Sequence, residues 1–428
     1  MSEDALFKKC AWRLIPFMVL LYLVNQIDRV NVGFAALTMN RDLEFSPVVF
    51  GFGAGVFFLG YSAFEVPANI ALHRVGARRA VFCMLAAWGA FSAGCALVQG
   101  PLSFYALRFF LGVAEAGFAP GMLLYLTYWF PQNYHGRLTA GFMTAAPLAF
   151  VIGGPLSSLL LGMNGIAGIR GWQWLFLLEG LPAVLLAFLA LKLLPDGPAN
   201  ASWLSQQEKA VISERLAVEC STRNHDLLPA LRDPRVLALG VVGFGLVCTL
   251  YGIQLWLPQM VQAMGFSNSA TGLVVALCGV AAISAMVLFG RSSDKKRDRV
   301  WHIALAFVFT ATSLIVAGLA QANLVVLLAL GFAFVGPLAA IPLLNSLPGS
   351  FLGGKAAAGG IALYLSIANL GGFAGPYIVG ALRGASGDYL SAMAALAAGL
   401  LLSALLVIAL GRTMVRRPAT VMPRPGGA

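Results

Sequence analysis

The chain has 428 residues, 59% of them hydrophobic and only 11% charged. A soluble domain carries about 25% charged residues, so a water-soluble fold is excluded and a polytopic membrane protein is implied. The formal charge of +11 does not signal nucleic acid, because no basic stripe with interleaved aromatics occurs. The basic residues lie in short loops, where they set topology and meet anionic lipid head groups.

In chain order, MSEDALFKKCAWR runs into an apolar segment with no evident cleavage site, which reads as a retained first helix. Apolar runs of about 20 residues predict spans at 14–37, 48–71, 80–99, 102–126, 138–162 and 172–194. Six more are predicted at 236–263, 269–290, 301–320, 323–346, 357–382 and 388–411. The fold class is therefore all-α with twelve transmembrane helices. A polar stretch, 195–235, separates a bundle at 1–194 from one at 236–411, and 412–428 forms a tail. Ser205 with Glu208 resembles a capping box, so part of the linker reads as a surface helix.

Of 28 lysines and arginines, only Arg41, Arg170 and Arg383 fall in loops on the side opposite the linker, and Arg29 and Arg108 fall within spans. The remaining 23 lie on the linker side, which places both termini in the cytoplasm. Cys10, Cys83, Cys95, Cys220, Cys248 and Cys278 are scattered, and His73, His135, His225 and His302 lie in loops or at helix ends. No metal or cofactor site is indicated.

An internal repeat is legible at an offset of 221 residues. Phe45-Ser46 with Gly51 recurs as Phe266-Ser267 with Gly272, and Gly154-Pro155 recurs as Gly375-Pro376. His73-Arg74 and Arg78 recur as Asp294-Lys295 and Arg299. One offset held this long implies two six-helix halves in the same orientation. Such a duplication around a long linker resembles the major facilitator transporters, in which rocking halves alternate access to a midplane site. The segment 287–299, with Gly290, Asp294 and Arg299, is similar to that superfamily's loop motif, which latches helix ends. The first copy, with Arg74 and Arg78, has His73 where aspartate is usual.

Asp28, Arg29, Arg108 and Glu115 are charges at membrane depth, where an ionised side chain costs at least about 2.5–3.5 kcal/mol. Adding 221 lands on Thr249, Leu250, Ala329 and Gly336, so all four belong to the N-terminal half. Arg108 and Glu115 are two turns apart and share a helix face, too far for a direct pair. Two readings stand: an arginine clamp for an organic anion, with acids that carry protons, or a salt-bridge network joining two helices. Glu65 is either a third proton carrier or a helix-end hydrogen bonder, and Glu179 reads as structural. Tyr61 either points a hydroxyl inward or packs. Asn369, in a glycine-rich helix, is a ligand contact or a helix–helix hydrogen bond. Gln254, Asn345 and Asn369 are the neutral groups the second half offers.

The segments IDRVNVGFAAL, FFLGYSAFEVPAN, HRVGARR, LRFFLGVAEAGFAPGMLLYLTYWFP, RGWQWLFLLEGLP and IANLGGFAGPYIVG together resemble the anion:cation symporter family of the major facilitators, over residues 10–411. Within it the chain is similar to bacterial tartrate- and phthalate-type permeases. The resemblance implies a secondary transporter in the bacterial cytoplasmic membrane, monomeric, importing a small organic anion with protons. It implies Arg29, Arg108, Tyr61 and Asn369 as substrate contacts and Asp28 and Glu115 as proton carriers. Gln26 and Asn345 stand where the family usually has tyrosine and tryptophan. The loss of aromatic surface favours a hydroxy acid such as tartrate over an aromatic acid such as phthalate or hydroxyphenylacetate. Sugar-acid import, a proton-coupled exporter and a transporter-like sensor are the alternatives. An intramembrane enzyme is not expected, since no nucleophile–base–metal set occurs in the spans.

Overall fold

The computed structural model describes residues 3–220, 233–351 and 354–415. The middle of the expected linker, with His225, and most of the expected tail lie outside the described residues. Among those described, twelve helical spans are long and apolar enough to cross a membrane, and no strand occurs.

The first half holds α1 (Glu3–Asp42), α2 (Pro47–Val75), α3 (Ala77–Gly94), α4 (Pro101–Glu115), α5 (Phe118–Thr127), α6 (Gln132–Met143), α7 (Ala145–Leu161) and α8 (Gly171–Leu193). The linker carries α9 (Gln206–Cys220). The second half holds α10 (Pro234–Ala263), α11 (Asn268–Lys296), α12 (Val300–Leu319), α13 (Asn323–Ser346), α14 (Gly354–Ser386) and α15 (Leu390–Val415). Span four is α4 with α5, and span five is α6 with α7. The first helix starts well before the predicted residue 14. Its polar first turns are held by the linker: Lys9 Nζ donates to Glu208 at 2.7 Å, and Arg215 lies 3.3 Å from Glu3. Ser205 and Glu208 form the expected capping box on α9, each backbone N–H taken by the other's side chain.

The repeat is visible in the caps. Ser46 Oγ accepts from Val49 N–H at the start of α2, and Ser267 Oγ accepts from Ala270 N–H at the start of α11, both at 3.2 Å. These caps sit on the face opposite the linker, here called the far face. The repeated glycines are where the halves touch. A Cβ on Gly51 would lie 2.5 Å from the Pro376 carbonyl oxygen, and one on Gly272 would lie 2.6 Å from that of Gly154. Span two of each half thus crosses span five of the other at backbone contact, which only a residue without a side chain permits.

Hydrogen bonds seal the far face as well. Asn40 Nδ2 donates to Gln259 Oε1 at 3.3 Å, and Ser158 Oγ donates to the Asn268 carbonyl at 2.8 Å. Toward the linker face the halves part. In α6 only Phe142 is buried, and in α11 only Ser293 is buried beyond Ala282. The close contacts between the halves are thus concentrated toward the far face.

Candidate functional site

Spans four and five of the first half are interrupted near mid-membrane. Span four breaks immediately after Glu115, where the Ala116 N–H reaches back to Val113 at 3.4 Å instead of four residues back. Span five breaks at Thr144, whose hydroxyl donates to the Gly141 carbonyl at 2.6 Å, just before Pro147. Irregular backbone at this depth is tolerated where protein or a polar cavity surrounds it.

At the first break Glu115 is fully buried, and its Oε2 accepts from Arg29 Nε at 2.9 Å and from Asn25 Nδ2 at 2.8 Å. Arg29 keeps 11% of its side chain exposed, whereas Glu115 keeps none. Its guanidinium carbon lies 4.8 Å from the Tyr61 ring centroid and 5.4 Å from that of Phe57. Arg108 lies against the same phenyl ring at 4.9 Å but is 2% exposed. It makes one long hydrogen bond, Nη2 to the Ala54 carbonyl at 3.5 Å, while its Nε and Nη1 have no partner. A guanidinium carries five donors, so Arg108 is under-satisfied in this state.

From the second half come Tyr251, whose ring centroid is 4.3 Å from that of Phe58, and Asn369. Asn369 Nδ2 donates to Glu65 Oε2 at 3.2 Å, a bond that joins the two halves on the linker side of the arginines.

A sequence model of the Major Facilitator Superfamily matches residues 18–376. The chain belongs to this superfamily. The facilitator is 47% identical over 380 residues to a protein of Agrobacterium vitis named "Putative tartrate transporter", covering 88% of each chain. It is 40% identical over 380 residues, again 88% of each, to the quinolone resistance transporter of Acinetobacter baumannii. It is 36% identical to the inner membrane transport protein RhmT of Escherichia coli strain K12 over 381 residues, 88% of each. Among solved structures, the inward-facing, occupied bacterial homologue of the human lysosomal transporter Spinster superposes with a TM-score of 0.77 at 15% identity. That match covers 94% of this chain and 97% of the other and bears on the fold. The sequence relatives fit the anion:cation symporter branch, and this facilitator is a membrane transporter, not an enzyme.

Against this geometry the residues singled out from sequence divide into two groups. Arg29, Arg108, Glu115 and Tyr61 come together around Phe57, and Glu65 meets Asn369 nearby. Asp28 does not join them as a partner of Arg108. It is fully buried, accepting from Asn31 Nδ2 at 2.8 Å and from the Ser92 hydroxyl of α3. The cause is helical geometry, since neighbours on a helix point about 100° apart, so Asp28 and Arg29 face different partners. Asn345 is also placed elsewhere. It lies in the last turn of α13, near the linker face, and its Oδ1 accepts from the Tyr364 hydroxyl at 2.6 Å. Gln26 is half-buried, with its Oε1 unpartnered.

The loop motifs tie helix ends within each half. In the first copy His73 Nδ1 is 3.0 Å from the Tyr128 hydroxyl, and Arg78 N–H donates to Asp196 Oδ1 at 2.9 Å, while Arg74 is exposed. In the second copy Arg299 Nη1 donates to the Ser346 carbonyl at 3.4 Å. Asp294 differs from expectation: it is exposed, with no side-chain hydrogen bond or ion pair among the described residues. Asp298, four residues on, instead caps the start of α12, accepting from Trp301 N–H at 3.3 Å and facing His302 at 3.4 Å. A Cβ on Gly290 would meet nothing within 4 Å, so this glycine makes no close packing contact in the state shown.

Asn25, Asn31, Phe57, Ser92 and Tyr251 escaped sequence reasoning. Neutral polar and aromatic side chains are common in spans, and nothing local distinguishes those that meet an arginine. The one signal available was spacing: Asn25 lies one turn before Arg29, on the same face.

Proposed function

We propose that this protein is a proton symporter for a small organic dicarboxylate of the tartrate type. The observation that carries the reading is the Arg29–Glu115 ion pair at 2.9 Å, beside an Arg108 with two unpartnered donors. A carboxylate ligand supplies the planar two-oxygen acceptor that a guanidinium fork fits. By taking Arg29 it displaces Glu115, which is fully buried and then has no cation to compensate it. A proton removes that buried charge. Anion and proton therefore bind together, and neither is favoured alone. Tyr61, and Asn369 from the opposite half, close the pocket with neutral donors, and Gln26 adds an amide on α1. The linker face is the cytoplasmic one, by the distribution of lysine and arginine, and the state shown is then inward-open.

Purified protein in liposomes tests this. Labelled tartrate should accumulate when the outside is acidic, and unlabelled hydroxy dicarboxylates should compete better than phthalate or hydroxyphenylacetate. Preference for the aromatic acids would overturn the substrate assignment, and indifference to the pH gradient would overturn symport. One observation favours a second reading, namely the 40% identity to a quinolone resistance transporter. Proton-driven export of an aromatic acid would show as faster uptake into acid-loaded vesicles.

A further inference from the structure

The two arginines of the clamp share one support. Phe57 of α2 is 1% exposed, and the guanidinium carbons of Arg29 and Arg108 lie 5.4 and 4.9 Å from its ring centroid. Tyr61, one turn on, adds a second ring 4.8 Å from Arg29. The crossing of α2 and α4 fixes the phenyl ring relative to Arg108. A Cβ on Gly112 would collide with the Phe57 carbonyl oxygen, and one on Gly60 with that of Phe109. The two helices therefore meet at backbone contact within a turn of both residues.

Arg29 is held differently. It comes from α1, and among the described residues its guanidinium is held by the Glu115 carboxylate at 2.9 Å and by the two rings of α2. A guanidinium stacks on an aromatic face through its own face, which leaves its in-plane N–H groups free for a carboxylate. Substrate can therefore replace Glu115 at Arg29 while both ring contacts persist. The internal repeat supplies a comparison. Adding 221 to Phe57 and Tyr61 lands on Cys278 and Ala282, so the half that lacks the arginines lacks the rings as well. A span-two helix of this plan is thus built without an aromatic side chain at either position.

We propose that Phe57 is a positioning residue that sets substrate chain length: one ring carries both guanidinium groups and so fixes the separation between the two carboxylates the site accepts. This rests on the dicarboxylate reading above and deepens it. When Glu115 releases Arg29 to the substrate, the rings of α2 keep Arg29 in register with Arg108. The two guanidinium carbons can then be no further apart than their combined distances from the one centroid. A short dicarboxylate reaches both in an extended shape, whereas a longer one must fold to do so and loses chain freedom.

Counterflow of labelled tartrate in liposomes, competed by malonate, succinate, glutarate and adipate, tests this. Counterflow needs no proton gradient, so its outcome does not depend on coupling. In wild type, succinate should compete about tenfold better than adipate, the worth of one charged hydrogen bond. Phe57→Leu keeps an apolar side chain without a ring face and should flatten that preference to about twofold. Phe57→Tyr keeps the ring and should keep the preference. A lower rate with an unchanged preference in Phe57→Leu makes Phe57 a packing residue and overturns the proposal, as does an equal loss of preference in Phe57→Tyr. Equal competition by all four acids in wild type also overturns it and leaves symport standing, whereas failure of every dicarboxylate to compete overturns both readings. If Phe57→Leu does not reach the membrane, Phe57→Met, flexible and apolar, takes its place with the same outcomes.

Discussion

The two halves descend from one six-helix plan and share their far-face caps, yet they differ at the centre. The first half has interruptions in spans four and five and buries Asp28, Arg108, Glu115 and Glu179. In the second half the helices of corresponding spans, α13 and α14, run without a break although each contains proline. Ala329 and Gly336 stand there in place of Arg108 and Glu115, the first buried and the second packed against Thr310 of α12. Charge and helix interruption thus occur together. A break immediately after Glu115 lets the backbone bend where charged side chains must be accommodated.

This division can be broken by mutation, and the arginines should give the largest effects. Arg29→Lys and Arg108→Lys keep the charge but lose the fork, and charged hydrogen bonds are worth about 1.5–3 kcal/mol. Initial uptake should fall roughly 10–100-fold in each, by labelled-substrate transport at matched protein levels. Near-normal uptake by both lysine variants would remove the clamp. Glu115→Gln comes next: pH-driven accumulation should disappear while counterflow exchange persists, and loss of both together would make Glu115 a substrate or folding residue instead.

The shared far-face contacts provide a test of the movement. Gly51→Val and Gly272→Val place a side chain where 2.5–2.6 Å is available to backbone oxygen. Each should slow uptake about tenfold and favour the state open to the far face, given overpacking costs of about 1–3 kcal/mol. Accessibility of single cysteines on that face to a membrane-impermeant thiol reagent should rise. Equal effects from the two glycines would support the symmetry, and an effect from one alone would break it.

A smaller effect is expected at the inter-half bond of Glu65 with Asn369. Asn369→Ala removes one hydrogen bond worth about 0.5–1.5 kcal/mol, so uptake should change roughly two- to tenfold. The smallest is at the linker. The Lys9 ammonium holds the Glu208 carboxyl below its ordinary value of 4.5. A depressed carboxylate contributes to folding above its unfolded pKa and loses that contribution as pH falls through the folded one. Attachment of α9 to α1 should therefore loosen only below about pH 4.5, seen as faster amide exchange in 206–216. Lys9→Ala should abolish that pH step.

The sequence by itself determined the twelve spans, the duplication and the identities of the buried charges. These follow from local quantities: hydropathy over about 20 residues, lysine and arginine in loops, and one repeated offset. Ser46 and Ser267 were legible as a pair because a helix cap depends on the few residues beside it. The tertiary structure decided which charges meet. Asp28 and Arg29 are adjacent in the chain, yet one faces Ser92 and the other Glu115, because helix rotation is set by packing against neighbours. The same holds for Glu65 with Asn369, 304 residues apart. Asn345 shows the converse: its residue type suited a pocket, but its position in the last turn of α13 puts it near the linker face. A pocket in such a protein is built from helix rotations and crossings, which hydropathy does not encode.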